Sequence, residues 1–141
     1  MYQHHPQSGF SLIELLIVVA IIGIVSAIAI PSMIGARAAA QEAAAVSCLR
    51  TMHSSETTMK VTLGRYGRMS ELNQLSNGNL GTIVGPTLKR QGYTFQTIPT
   101  APSDAQLANS FRIAASGKGP DGVTPFIFLI DESGIISQIS P

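Results

Sequence analysis

The chain has 141 residues, of which 45% are hydrophobic and 12% are charged. Its length favours a single domain, and the charged fraction is about half that of a soluble globular domain, which indicates a membrane segment. The net charge of +1 gives no reason to expect nucleic acid or an acidic substrate as a partner. Cys48 is the single cysteine, so the sequence excludes an internal disulfide.

The chain begins with a short polar segment, residues 1–9, that contains no Lys or Arg. Apart from Met1 and Tyr2 it has no apolar residue. A segment of this kind is typical of a removable leader and not of folded structure. We therefore interpret residues 1–9 as a leader peptide.

A long apolar run follows over residues 10–30, interrupted by Ser11, Glu14 and Ser26. As a helix this run is about 31 Å long, close to the ~30 Å hydrocarbon core of a bilayer. Ile and Val are poor helix formers in water, but in lipid the cost of an unpaired backbone group outweighs that preference. We predict that residues 10–30 form a transmembrane helix.

Residues 31–63 continue the helical pattern in amphipathic form, with many alanines, the best helix former. Apolar residues recur there in steps of three, four and seven, which indicates one buried face. They are Ala45, Cys48, Leu49, Met52, Met59 and Leu63. Charged residues, among them Glu56, are expected on the other faces. We predict one helix from about residue 10 to about residue 63.

Pro31 stands between the apolar and the amphipathic parts of this helix. We predict a kink at Pro31, because proline lacks an N–H group and its ring crowds the preceding turn. A proline at this place is also typical of a simple end of a membrane helix, and the pattern alone leaves that alternative open.

The remainder, residues 64–141, is predicted to form a small head. Residues 64–92 indicate a loop with a short helix at residues 70–75, capped by Ser70. A turn is expected at residues 131–134. Patterns typical of strands lie at residues 93–98, 111–114, 126–130 and 135–139. We predict an α+β fold, in which the amphipathic helix covers one face of an antiparallel sheet of three or four strands.

The segment Gly9-Phe10-Ser11-Leu12-Ile13-Glu14 resembles the N-terminus of type IV pilins and type II secretion pseudopilins. This resemblance implies cleavage after Gly9, methylation of the new terminus Phe10, a role for Glu14 in filament assembly and a helix kink at Pro31. It also implies a structural protein with no enzymatic activity and no cofactor.

The same resemblance implies the partners and the location. The partners would be other pilin subunits, a prepilin peptidase that also methylates, and an inner-membrane assembly platform. The protein would span the bacterial inner membrane once and then enter a periplasmic or cell-surface filament. Pilin leaders normally carry Lys or Arg, which holds them in the cytoplasm, whereas this leader has only His4 and His5. Orientation then depends on the apolar helix and the export machinery, or translation starts further upstream.

Glu14 is informative because an ionised carboxylate inside an apolar run costs several kcal/mol unless it is paired. Cleavage after Gly9 would create an amine on Phe10, one helical turn from Glu14. The amine of the same chain or that of a staggered neighbouring subunit can pair with this carboxylate. Alternatively, Glu14 lies near the lipid headgroups, where the helix dipole favours an acid.

Several functions remain open at this point. Within the family, the short head without a disulfide-closed loop favours a minor pilin, with a type II secretion pseudopilin as the alternative. An exported soluble binding protein, cut after Ala27-Ile28-Ala29, would need a shorter apolar run and a basic leader. A membrane-anchored enzyme would need catalytic residues, and no defensible set is present.

Two surface features suggest ligands only weakly. Asp121, Asp131 and Glu132 lie in or beside turns, but their spacing matches no known calcium loop, so solvated turn acids are favoured. Basic residues in the 64–92 loop favour a solvated surface over contact with a polyanion. We therefore predict no metal and no nucleic acid partner.

Overall fold

A computed structural model describes residues 9–119 and 125–139. Helix α1 runs from Leu12 to Leu63 as one element, which confirms the single long helix. The chain divides into two compact units, Met1–Ile34 and Gly35–Pro141. Apart from Gly9, the predicted leader lies outside the described residues.

In the described part of the head, six strands form one antiparallel sheet in the order β1-β2-β3-β4-β5-β6. The strands are β1 Thr82–Val84, β2 Thr87–Arg90, β3 Tyr93–Thr97, β4 Arg112–Lys118, β5 Pro125–Asp131 and β6 Ile136–Ile139. The predicted antiparallel sheet is confirmed, but the expected number of three or four strands was wrong.

The two additional strands, β1 and β2, lie in the segment that was expected to be a loop. They have three and four residues, which is too short for an alternating pattern to stand out from its surroundings. Leu88 is the residue of this hairpin that is fully buried, and Ile83 opposite it is half-buried. One buried side chain gives little periodicity to detect.

Two short helices complete the head. Helix α2, Met69–Leu75, confirms the predicted short helix, but its N-cap is Arg68 and Ser70 lies inside it. Helix α3, Asp104–Leu107, was not predicted. It begins with a capping box, in which the Ser103 side chain accepts the N–H of Gln106 and the Gln106 side chain accepts the N–H of Ser103.

The core of the head lies between helix α1 and one face of the sheet. Leu49 and Met52 of α1 are fully buried in one cluster with Phe95 of β3 and Ile113 of β4. The buried apolar positions that the pattern placed on the helix face are confirmed by Ala45, Cys48, Leu49, Met52 and Met59.

Two residues of α1 depart from the predicted faces. Leu63 is 59% exposed, because it is the last residue of the helix and lies beyond the buried stretch. Glu56, expected on a polar face, has no exposed surface. It follows Met52 by four residues and precedes Met59 by three, so the helical period places it on the buried face.

An ion-pair network fixes the segment that follows α1. Arg65 donates two hydrogen bonds to the Glu71 carboxylate, of 2.9 and 2.7 Å. The backbone N–H of Arg68 donates to Glu71 at 2.8 Å, and its guanidinium donates to Asp104 at 2.8 Å. The hydrogen bonds and charge of Arg65 lower the pKa of Glu71 to about 2. Helices α2 and α3 are thereby tied to the same short segment.

Candidate functional site

The N-terminal part of α1 presents an apolar surface on all its sides. Every large hydrophobic residue between residues 12 and 34 exposes more than half of its surface. An 18-residue window of this helix has a mean hydropathy of 2.9 and none of it is buried, so the helix is long and apolar enough to cross a membrane. An exposed apolar surface of this extent indicates contact with lipid or with other proteins.

Glu14 lies in the first turn of α1, and its side chain turns back toward the helix start. Its Oε2 atom accepts the backbone N–H of Ser11 at 3.0 Å, and the Glu14 N–H donates to the Ser11 carbonyl at 3.1 Å. Glu14 thus occupies the third helical position and satisfies one of the free N–H groups of the helix start.

Ser11 is the residue that the sequence reasoning missed at this site. It stands three residues before Glu14, and a serine followed at this spacing by glutamate is the sequence signature of a capping box. That signature would have placed the helix start at residue 12. The structure thus brings Ser11 and Glu14 together.

Gly9 and Phe10 precede the helix. Both are exposed, and Phe10 shows 85% of its surface. A Cβ atom added at Gly9 would meet no atom within 4 Å, and the backbone there does not adopt a positive φ. Neither residue has a packing role in the described structure.

Pro31 lies inside α1, and helical structure continues beyond it. The proline therefore does not end helix α1. The kink at Pro31 stays a prediction.

The acidic turn between β5 and β6 has a local structural role. The Asp131 carboxylate accepts the N–H and the hydroxyl of Ser133, and these hydrogen bonds lower the pKa of Asp131. Glu132 is exposed, and Asp121 lies outside the described residues. Within residues 9–119 and 125–139, no group of three or more His, Cys, Asp or Glu is arranged to hold a metal ion.

Comparison with known proteins supports the N-terminal motif. Residues 4–30 match the family described as the prokaryotic N-terminal methylation motif. The type IV major pilin protein PilA of Myxococcus xanthus (strain DK1622) is 43% identical over 58 residues, which cover 41% of this chain and 26% of that protein. The chain thus spans about a quarter of this relative's length. No solved structure gives a significant match.

A second relative covers most of both chains. The fimbrial protein of Moraxella nonliquefaciens is 31% identical over 132 residues, which represent 81% of this chain and 81% of that protein. This chain belongs to the type IV pilin family. Because the match covers so much of this pilin, it extends beyond the motif into the head.

Family membership confirms several of the expectations. A pilin is a structural subunit of a filament and not an enzyme. Its exposed apolar helix is consistent with an anchor in the membrane that later enters a surface filament.

Proposed function

We propose that this pilin is a minor subunit of a type IV pilus, cleaved between Gly9 and Phe10, methylated on Phe10 and assembled through residues 10–30. The main support is the surface of residues 12–34, which is apolar on all sides and carries one carboxylate, Glu14. Removing an exposed Leu, Ile or Val side chain from water is worth about 1.5–3 kcal/mol. Lipid covers this surface before assembly, and the helices of other subunits cover it afterwards.

Cleavage after Gly9 is supported by the fact that the fold does not require a glycine at this position. Open space surrounds the Cα atom of Gly9, and its backbone conformation is accessible to any residue. Folding therefore gives no reason for glycine at this position. A peptidase that accepts only a residue without a side chain beside the cleaved bond gives such a reason.

The role of Glu14 in assembly follows from its remaining hydrogen-bonding capacity. Its Oε2 atom accepts the N–H of Ser11, whereas no hydrogen bond to Oε1 is found among the described residues. Cleavage would add an ammonium group at Phe10, and that of a neighbouring subunit can bind Oε1. Both charges would be neutralised as the helices leave the lipid, which fixes the axial stagger of the subunits.

Pro31 would bend the helix just after its membrane-spanning part. Without an N–H at Pro31, the carbonyl of Ala27 loses its usual helical partner, and the ring crowds that carbonyl. We propose that a kink here lets the two parts of α1 pack independently in the filament.

A minor role is supported by the small head, which has a single cysteine and hence no disulfide-closed loop. A major pilin is the second candidate, since the Myxococcus relative carries that name. Quantifying the subunit in sheared surface filaments separates the two. A small fraction of the filament protein is expected, and a dominant fraction would identify the major subunit. Absence from surface filaments together with a secretion defect would identify a pseudopilin.

The first test is the N-terminal peptide and intact mass of the protein recovered from membranes. We expect a terminus at Phe10 that carries one added methyl group. A terminus at Ile30 would instead establish an ordinary signal peptide and refute the role of Glu14 in a filament. Gly9→Val should retain the leader, whereas the matched control Gly23→Val, which also has open space at its Cα atom, should be processed normally.

A further inference from the structure

Glu56 is a carboxylic acid enclosed within the head. It lies on the buried face of α1 between Met52 and Met59, and none of its surface is exposed. Its Oε2 atom accepts the backbone N–H of Gly67, and its Oε1 atom has no hydrogen-bond partner among the described residues. An ionised carboxylate in this position is costly, because one N–H group replaces the water that would otherwise surround it.

The backbone at Gly67 covers this carboxyl group directly. A Cβ atom at residue 67 would overlap the Sδ atom of Met59 and lie 3.1 Å from Cδ2 of Leu72. No side chain therefore fits between this segment and helix α1. Lifting residues 64–68 from the helix would break the hydrogen bond from Gly67 and admit water to Glu56.

The charges nearest to Glu56 largely neutralise one another. The guanidinium of Arg65 attracts the Glu56 carboxylate, whereas the Glu71 carboxylate repels it. Arg65 and Glu71 are themselves hydrogen-bonded to each other. On the adjoining elements, the guanidinium of Arg68 is bound to Asp104 of α3. Burial therefore dominates and raises the pKa of Glu56 to about 7.

Two other titratable groups, Lys60 and His53, lie within about one turn of Glu56 on the same helix. Lys60, one turn after Glu56, donates to the backbone carbonyls of Gly64 and Ala108. His53, three residues before Glu56, packs its ring 5.9 Å from that of Phe111, and its Nε2 atom is buried without a hydrogen-bond partner among the described residues. An experiment on Glu56 must therefore exclude a contribution from His53.

We propose that Glu56 is a pH-sensitive latch, which holds residues 64–68 on helix α1 when its carboxyl group is protonated and favours their release when it is ionised. This device belongs to the head and is independent of cleavage, methylation and assembly at the N-terminus. Residues 64–68 carry Arg65 and Arg68, the anchors of α2 and α3. Release of the segment would therefore change the surface that both short helices form.

The direction of the effect follows from proton linkage. In the closed form the pKa of Glu56 is about 7, against an ordinary value of 4.5, which applies once the carboxyl group is hydrated. In the closed form, residues 64–68 lie on α1. The stability of this form relative to the open form is therefore greatest below pH 4.5, and the extra stability is lost as the pH rises through 7. These values correspond to a rise of about tenfold in the opening equilibrium constant between pH 6 and pH 8.

Hydrogen exchange of the Gly67 amide tests the latch, because this N–H donates to Glu56 and exchanges when the segment opens. The full chain in detergent micelles would be measured at pH 6 and pH 8, with correction for the intrinsic pH dependence of amide exchange. We expect protection of Gly67 to fall about tenfold at the higher pH. At both pH values Gly67 should exchange faster than Phe95 in β3, which reports on unfolding of the whole head.

Glu56→Gln provides the decisive variant, since its amide oxygen can still accept the Gly67 N–H but carries no titratable proton. Its Gly67 protection should be the same at pH 6 and pH 8. The control Glu132→Gln removes an exposed carboxylate and should retain the wild-type fall.

Three outcomes would overturn the latch. The first is equal protection of the Gly67 amide at pH 6 and pH 8 in the wild-type protein, which would refute the latch without any variant. A fall that persists in Glu56→Gln would assign the effect to His53 or another group. Exchange of Gly67 no faster than that of Phe95 would mean that the whole head unfolds and that no separate segment is released.

Discussion

The two halves of helix α1 differ in what covers them. Between residues 12 and 34 every large apolar side chain is more than half exposed, whereas Leu49 and Met52 in the second half are fully buried with the sheet. The second half therefore gains its stability from its own chain. The first half, which is apolar on all sides, depends on lipid or on other subunits to cover its surface.

The same comparison separates two of the glutamates of the helix, Glu14 and Glu56. Glu14 is exposed although its neighbours are apolar, while Glu56 is completely buried within the amphipathic half. Each has one backbone N–H as a hydrogen-bond donor, from Ser11 and from Gly67 respectively. The hydropathy of a helix segment thus does not predict whether a single charged side chain within it is buried. That depends on the groups that contact this side chain.

The largest effect is expected where the first half meets another subunit. Glu14→Ala should be cleaved and methylated normally, but its incorporation into filaments should fall by more than about a hundredfold. Removing one member of a buried ion pair leaves the other charge uncompensated, at about 3–5 kcal/mol. Filament fractions analysed by mass spectrometry measure both properties, with Glu132→Ala as a control. Normal incorporation of Glu14→Ala would refute a role for this carboxylate in assembly.

A matched pair of leucines contrasts the two halves directly. Leu49 is 0% exposed and Leu16 is 57% exposed in the same helix. Leu49→Ala should lower the free energy of unfolding of the head by about 2–5 kcal/mol, and Leu16→Ala should change it by less than about 0.5 kcal/mol. Urea unfolding in micelles, followed by the fluorescence of Tyr66 and Tyr93, measures both. Equal losses would mean that the first half also contributes to the stability of the head.

A smaller loss than that of Leu49→Ala is expected for the ion pair beside Glu56. The pKa of Glu71 is about 2, against an ordinary value of 4.5. The ionised carboxylate therefore contributes to the free energy of unfolding above pH 4.5, and this contribution is lost as the pH falls through 2. Because both side chains are partly exposed, Glu71→Gln should cost about 1 kcal/mol at pH 7. Urea unfolding should show a smaller loss at pH 3. The same loss at both pH values would assign it to packing instead of charge.

The parts of this fold that repeat a pattern over many residues were predictable. The apolar run and the helical spacing of Leu49 and Met52 persist over several turns, so chance interruptions do not hide them. The hairpin of β1 and β2 buries only Leu88 completely, which leaves no repeat to recognise.

Individual polar residues were harder to place for a different reason. Assigning Glu56 to a polar face followed its charge, since charged residues are almost never fully buried without a partner. The spacing from Met52 and Met59 pointed the other way, but Gly67, which donates to it, becomes adjacent only when the chain folds back. Ser11 and Ser103 each begin the sequence signature of a capping box, so both could have been predicted from the sequence.

The order of the strands also bears on how the head folds. Each strand pairs with its neighbour along the chain, from β1 to β6. Every pair of neighbouring strands can therefore form without a distant segment of the sheet. Domains dominated by such local pairings fold fast. Docking of the sheet on residues 45–59 of α1, by contrast, joins segments that are distant along the chain.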